Sequence, residues 1–194
     1  SIQSSFLLSC FKTSMVSQTT LQEDPKTDAP EKDLDGFLEN CQKVGQRCKS
    51  FENPIIVHHY DCDGISTGSV TAIALKSAGV KFEMKAVKRM DEEKAEELSK
   101  TGKQLIFCDI GSGTMSKILS KLRPDQFAVI DHHEPDDAPR DGVFEANNMK
   151  HGFTSSLSAS ASIVAYFCFR SDEKVKGRMA EIALVGAVGD MQDA

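Results

Sequence analysis

Short apolar runs that end in acidic or imidazole side chains, and that alternate with helix-length segments, constrain this chain more than any other feature. Pro54-Ile55-Ile56-Val57-His58-His59, Val80 to Val87, Gln104 to Asp109, Gln126 to Asp131 and Val143 to Ala146 read as strands. Helices are predicted over 33–49, 66–78, 91–100, 114–122, 158–169 and 173–188. The first is carried by Leu34, Phe37, Leu38, Cys41, Val44 and Cys48, which recur at helical spacing. Strands that alternate with helices through short loops predict an α/β fold, with a mainly parallel sheet of about five strands and helices on both faces.

Residues 1–30 differ from the rest. They are rich in Ser, Thr and Gln, carry Pro25 and Pro30, and show no sustained periodicity, so they read as a flexible tail ahead of one folded unit over 31–194. Phe6-Leu7-Leu8 lacks the basic flank and length of a secretory signal. Met15 is a candidate for the true start. No apolar run approaches the roughly 20 residues that span a bilayer. Six cysteines, Cys10, Cys41, Cys48, Cys62, Cys108 and Cys168, form no C-x-x-C pair. They argue for an intracellular, cytoplasmic setting rather than a disulfide framework or zinc ribbon. The 23 Lys and Arg against 29 Asp and Glu give a net charge of −6. A chain held to nucleic acid by bulk positive charge would be more basic, so any polyanion must be gripped locally or through bound cations.

In a parallel sheet, ligands gather outside the carboxyl ends of the strands. The first strand here runs into His58, His59, Asp61 and Asp63, the third into Asp109, and the fourth into Asp131, His132 and His133. Carboxylates that crowd together without Lys or Arg need a counter-charge, and divalent metal supplies it most simply. In an extended segment His59, Asp61 and Asp63 share one side, which favours His59 over His58 as a ligand and leaves Cys62 as a packing residue. Gly64 permits a sharp turn. Oxygen-rich ligands with one or two imidazoles suit Mn²⁺ or Mg²⁺, with Co²⁺ a further candidate.

His59-Tyr60-Asp61-Cys62-Asp63-Gly64, Phe107-Cys108-Asp109-Ile110-Gly111-Ser112-Gly113, Asp131-His132-His133 and Gly186-Ala187-Val188-Gly189-Asp190 resemble, in order, the four motifs of the DHH phosphoesterase superfamily. Within it the chain is most similar to RecJ-like single-strand exonucleases of the archaeal type. The likeness covers about residues 33–194. It implies that Asp61 binds one metal ion, Asp63 the other, and that Asp109 bridges them. His132 and Asp190 would complete the second ion, His133 would contact the scissile phosphate, and Asp131 would orient a histidine. Pyrophosphatase members carry a metal-binding His four residues before the first Asp. That position is Val57 here, and His59 is its candidate replacement.

The implied activity is metal-dependent hydrolysis of single-stranded DNA or RNA. Two cations, Mn²⁺ favoured, would activate a water and neutralise the phosphodiester. Two alternatives stand beside it. One is a phosphatase or oligonucleotide hydrolase acting on small substrates. The other is a non-catalytic replication-complex scaffold, with replication or repair proteins as partners. The resemblance also implies that a C-terminal substrate-binding domain follows the fourth motif. Lys85, Lys88 and Arg89 form the best local basic patch. Phe153 with Thr154-Ser155-Ser156 is a candidate backbone contact or helix cap, and 147–153 is loosely similar to an Asn- and Gly-containing loop of RecJ-like proteins.

Overall fold

A computed structural model describes residues 32–153 and 159–190. The elements run α1 (Leu34–Lys49), β1 (Ile55–His59), α2 (Cys62–Ser77), β2 (Glu83–Val87), α3 (Glu92–Ser99), β3 (Leu105–Cys108), α4 (Met115–Leu119), β4 (Phe127–Ile130), β5 (Phe144–Ala146), α5 (Ala161–Phe169) and α6 (Lys176–Asp190). The five strands form one sheet in the order β2-β1-β3-β4-β5, and every neighbouring pair is parallel.

The three central strands are apolar at nearly every position because both faces are covered. Ile56, Ile106, Cys108, Ala128 and Ile130 point to one face, where α1, α2, α5 and α6 bring Phe37, Val70, Val164 and Met179. Ile55, Val57, Leu105, Phe107 and Val129 point to the other, under Leu98 of α3 and Ile118 of α4. Helices therefore cover both faces, four on one and two on the other. Parallel neighbours are usually joined through a crossover helix. The connection from β4 to β5, residues 131–143, contains none.

Several boundaries move from expectation. Helix α2 starts at Cys62 rather than Ser66, because Asp61 caps it and its side chain accepts the Gly64 amide. Strand β2 starts at Glu83 rather than Val80. Gly79 takes φ +76° and the Val80 amide returns to the Leu75 carbonyl, so Val80 belongs to the exit of α2. A 3-10 turn over Ser112–Thr114 precedes a short α4. Helix α6 runs from Lys176 on to Asp190.

Among the described residues no helix is long and apolar enough to cross a membrane. Cys41, Cys48, Cys62, Cys108 and Cys168 are free thiols, all buried but Cys62. The tail over 1–30 and the run Thr154-Ser155-Ser156 lie outside the described residues. Phe153 is no surface contact: it is buried, edge-on to Phe37.

Candidate metal centre

The strand order reverses between β1 and β3, and the loops that leave these two strands diverge to open a crevice. His59 and Asp61 enter it from β1, Asp109 from β3, and Asp131, His132 and His133 from β4.

Asp61 is the N-cap of α2. Its Oδ1 accepts the Gly64 amide at 2.9 Å, and its Oδ2 accepts His59 Nδ1–H at 2.6 Å. The other ring nitrogen of His59 donates to the Lys88 carbonyl at 3.2 Å. The extended reading of this segment is thus corrected. Asp63 lies in the first turn of α2, and the helix sends the two carboxylates to different neighbours. Gly64 is helical rather than a sharp turn, but a Cβ there would meet the His59 carbonyl oxygen at 2.4 Å, so the close approach still demands glycine. Cys62 is exposed, with its sulfur against Gly189 of α6.

Asp63 is buried, and each of its oxygens takes a backbone amide from the start of α5: Ala161 at 2.7 Å and Ser162 at 3.0 Å. Asp190, the last residue of α6, reaches the same place because α6 packs tightly on α2. A Cβ on Gly186 would stand 2.4 Å from Ser162 Oγ and 2.8 Å from Asp63 Oδ1. His132 donates Nδ1–H to the Ala159 carbonyl at 3.1 Å. That leaves Nε2 facing Asp109 at 3.4 Å, and Asp63 and Asp190 each at 3.9 Å. A histidine so anchored presents the tautomer that a metal ion requires.

Asp109 stands between the two sides. It takes φ +59°, a left-handed conformation that costs about 1 kcal/mol outside glycine. Its Oδ1 is buried without a hydrogen-bond partner. Its nearest neighbour of opposite charge, His132 Nε2 at 3.4 Å, pairs with it without hydrogen-bond geometry, which leaves the oxygen under-satisfied. Potential ligand atoms lie within 4.8 Å of one another in three groups: His59, Asp61 and Asp109; Asp63, His132 and Asp190; Asp109, His132 and His133. Oxygen-rich donors with imidazoles and no thiolate fit a hard divalent cation.

Electrostatics agree with the geometry. The Asp109 carboxylate, 3.6 Å away, and then Asp61 raise His59 to about 9 against the effect of burial. Burial alone would lower His132, but Asp109, Asp131 and Asp63 overcome it and hold the ring at about 10. Burial, then the Asp109 charge, lifts Asp63 to about 6. Burial works against the Asp109 carboxylate, yet His132 and His59 keep it at about 2. Burial lifts Asp190 as well. Protons on the imidazoles thus supply the charge that the acids require.

Asp131 holds no position in these groups. It is fully buried, and its Oδ1 accepts the His132 amide, the His133 amide and His133 Nδ1–H at 2.8, 3.2 and 2.8 Å. His133 is half-exposed and raised by that Asp131 hydrogen bond. His58 is buried against Gly68 and its Nδ1 pairs with the His59 carbonyl, outside the centre. Val57 is core.

The four motifs thus meet at one end of the sheet, and the description of the DHH family, N-terminal domain, matches residues 53–187. This chain belongs to the DHH family. The DHH chain is 27% identical over 171 residues to an uncharacterised protein of Methanocaldococcus jannaschii, covering 80% of this chain and 39% of that one. Its fold is similar to exonuclease RecJ in a crystal structure bound to manganese, with TM-score 0.63, 16% identity, and 86% of this chain and 45% of that one covered. It is also similar to CDC45 from Entamoeba histolytica, with TM-score 0.60, 18% identity, and 81% and 34% covered. The DHH chain therefore spans less than half the length of each.

A cleft of about 670 Å³ opens beside the centre, lined by His59, Asp109 and His133 and bounded by Arg89 and Lys117. Of the expected basic patch, Lys85 is taken by Glu97 and Arg89 is paired with Asp91 at 2.8 Å. Behind His133, Ser112 of the second motif and Asn147 of the 147–153 loop meet two residues that the sequence did not single out, buried Glu145 and partly buried Arg140. The available signal was an acidic residue, Glu145, inside the short run Val143 to Ala146.

Proposed function

We propose that this DHH chain carries the catalytic centre of a metal-dependent phosphodiesterase. Its activity is that of a cytoplasmic single-strand-specific exonuclease of the RecJ-like, archaeal type, acting on DNA or RNA with two divalent cations, manganese favoured. One observation carries the reading: the strained, buried Asp109 keeps one carboxylate oxygen without a hydrogen bond, between a His59–Asp61 side and an Asp63–His132–Asp190 side. Family membership supports the reaction class, and the fold shared with manganese-bound RecJ supports the metal.

In this reading Asp61, with His59, holds one ion, Asp63, His132 and Asp190 hold the other, and Asp109 serves both. When bound, such ions make water a nucleophile near neutral pH and neutralise charge that builds on the phosphorus centre. His133 meets the substrate. With Nδ1–H engaged by Asp131 its Nε2 remains, and the raised affinity for protons keeps a donor ready for a non-bridging phosphate oxygen. Asp131 holds that ring in place. At the cleft wall Lys117, and Arg89 shared with Asp91, offer positive charge to a neighbouring phosphate.

A smaller substrate is the second reading. It is favoured by the net charge of −6 and by a cleft whose volume matches one small ligand. A replication scaffold without catalysis draws on the CDC45 likeness but leaves a full set of ligands unused.

The test is hydrolysis of an end-labelled long single strand, its duplex and a dinucleotide, each with Mn²⁺. Stepwise mononucleotide release from the long strand alone supports the exonuclease. Turnover of the dinucleotide alone supports the small-substrate reading. No turnover with any of them overturns the enzyme.

A further inference from the structure

Among the described residues, Glu145 is the buried acidic side chain that the mechanism leaves unused. It sits on β5 and is fully buried, and burying a carboxylate inside a sheet is costly unless it is tightly paired. Arg140 Nε and Lys150 Nζ each donate to its Oε2 at 2.9 Å, and Ser112 Oγ–H donates to its Oε1 at 2.7 Å. A leucine would fill the same strand position without that cost, so the partners deserve tracing.

They lead to one place. Ser112 is held at every polar atom: its hydroxyl also accepts Asn147 Nδ2–H at 2.9 Å, its carbonyl accepts Arg140 Nη2–H at 2.9 Å, and its amide donates to Asp131 Oδ2 at 2.8 Å. The same Asn147 amide group donates to the His133 carbonyl at 2.9 Å. Arg140 Nη1 also ties the carbonyls of Asp136 and Ala138, both at 2.6 Å, in the helix-free connection from β4 to β5. Two routes thus run from Glu145 to His133. One passes through Ser112 and Asp131 to the ring, and the other through Ser112 and Asn147 to the backbone.

We propose that Glu145 is a positioning residue that acts through Ser112, Asp131 and Asn147 to fix both the ring and the backbone of His133 at the cleft. It touches neither metal ligand nor substrate. Its role rests on the reading of His133 as the phosphate contact. In an apolar surrounding a fully satisfied network of this kind specifies one arrangement, whereas a broken one leaves several.

The experiment compares Glu145→Gln and Ser112→Ala with Asn40→Ala. Asn40 donates to the backbone carbonyl of Glu145 at 2.7 Å, so its removal loosens the same strand without entering the relay. On a single-stranded substrate with saturating Mn²⁺, kcat is expected to fall about 10- to 100-fold in the first two, as for other groups behind a metal site. KM should stay within about threefold. Asn40→Ala should lower the thermal midpoint yet leave kcat within about twofold. In the metal-free protein, the His133 Nδ1–H proton bound to Asp131 should exchange slowly enough for NMR detection in the parent chain and in Asn40→Ala, and should be lost from the other two.

Retention of that proton in Glu145→Gln and Ser112→Ala overturns the inference, as does a kcat that tracks the thermal midpoint across all three variants. If the parent chain hydrolyses no phosphodiester, the proposed function fails first, and the NMR signal still decides on Glu145.

Discussion

The two sides of the proposed metal centre are built by different means. On the outer side, His59 and Asp61 hold each other, their side chains 24% and 35% exposed. On the inner side, Asp63 and His132 are 2% and 3% exposed and are held by backbone, the amides of Ala161 and Ser162 and the carbonyl of Ala159. The outer side is therefore adjustable and open to solvent, whereas the inner side is as rigid as the helices that clasp it. The inner ligands belong to the architecture, and the outer ones to the cleft.

The largest effect should come where the sides meet. Asp109→Ala is expected to reduce Mn²⁺-dependent hydrolysis by on the order of 10³-fold or more, read as initial rates on a single strand. Turnover within tenfold of the parent would mean that the sides work separately.

Stability should then divide them. Asp63→Ala strands two buried amides and is expected to cost about 2 kcal/mol in urea unfolding. Asp61→Ala loses a helix cap, about 1 kcal/mol. Asp61→Asn keeps the cap and should change stability by only a few tenths, while its affinity for Mn²⁺ falls. Equal stability costs at 61 and 63 would erase the distinction between cleft and architecture.

Acidity sharpens it further. Folded His59 and His132 bind protons up to about 9 and 10, above the ordinary value of 6.5. Their contribution to the metal-free fold is fully present below about 6.5 and is lost as pH rises through 9 to 10. The thermal midpoint without metal should fall over that range. Because ions displace these protons, Mn²⁺ should bind more tightly as pH rises and should release protons on binding, read by calorimetry in buffers of different ionisation enthalpy. A midpoint that is flat from pH 7 to 10 would deny the histidines their charge.

The smallest effect concerns packing. Gly186→Ala places a methyl group against Ser162 and Asp63 and should weaken Mn²⁺ affinity several-fold on the inner side. The His59–Asp61 contact, monitored by histidine NMR, should stay as it is.

Much of this was legible in the chain itself. The sheet came through because the apolar runs at 55–57, 105–108 and 127–130 are short and continuous. The turns that bring acids and imidazoles together came through because each run ends in Asp or His. What escaped depends on distance along the chain. The start of α2 at Cys62 is set by a single cap, which periodicity does not register. The amides that clasp Asp63 lie 98 and 99 residues away. Glu145 and Ser112, 33 residues apart, meet only once β4 and β5 have paired. Local pattern reports local structure, and those contacts are tertiary.

The grip of Asp63 on α5 has a consequence for how ions arrive. A carboxylate oxygen has two lone pairs, and each Asp63 oxygen spends one on an amide. One pair per oxygen is left for the proposed cation, which would load with the helix still fastened. A single side chain would then both fasten the start of α5 and receive the ion, and filling the site would not unhinge the helix.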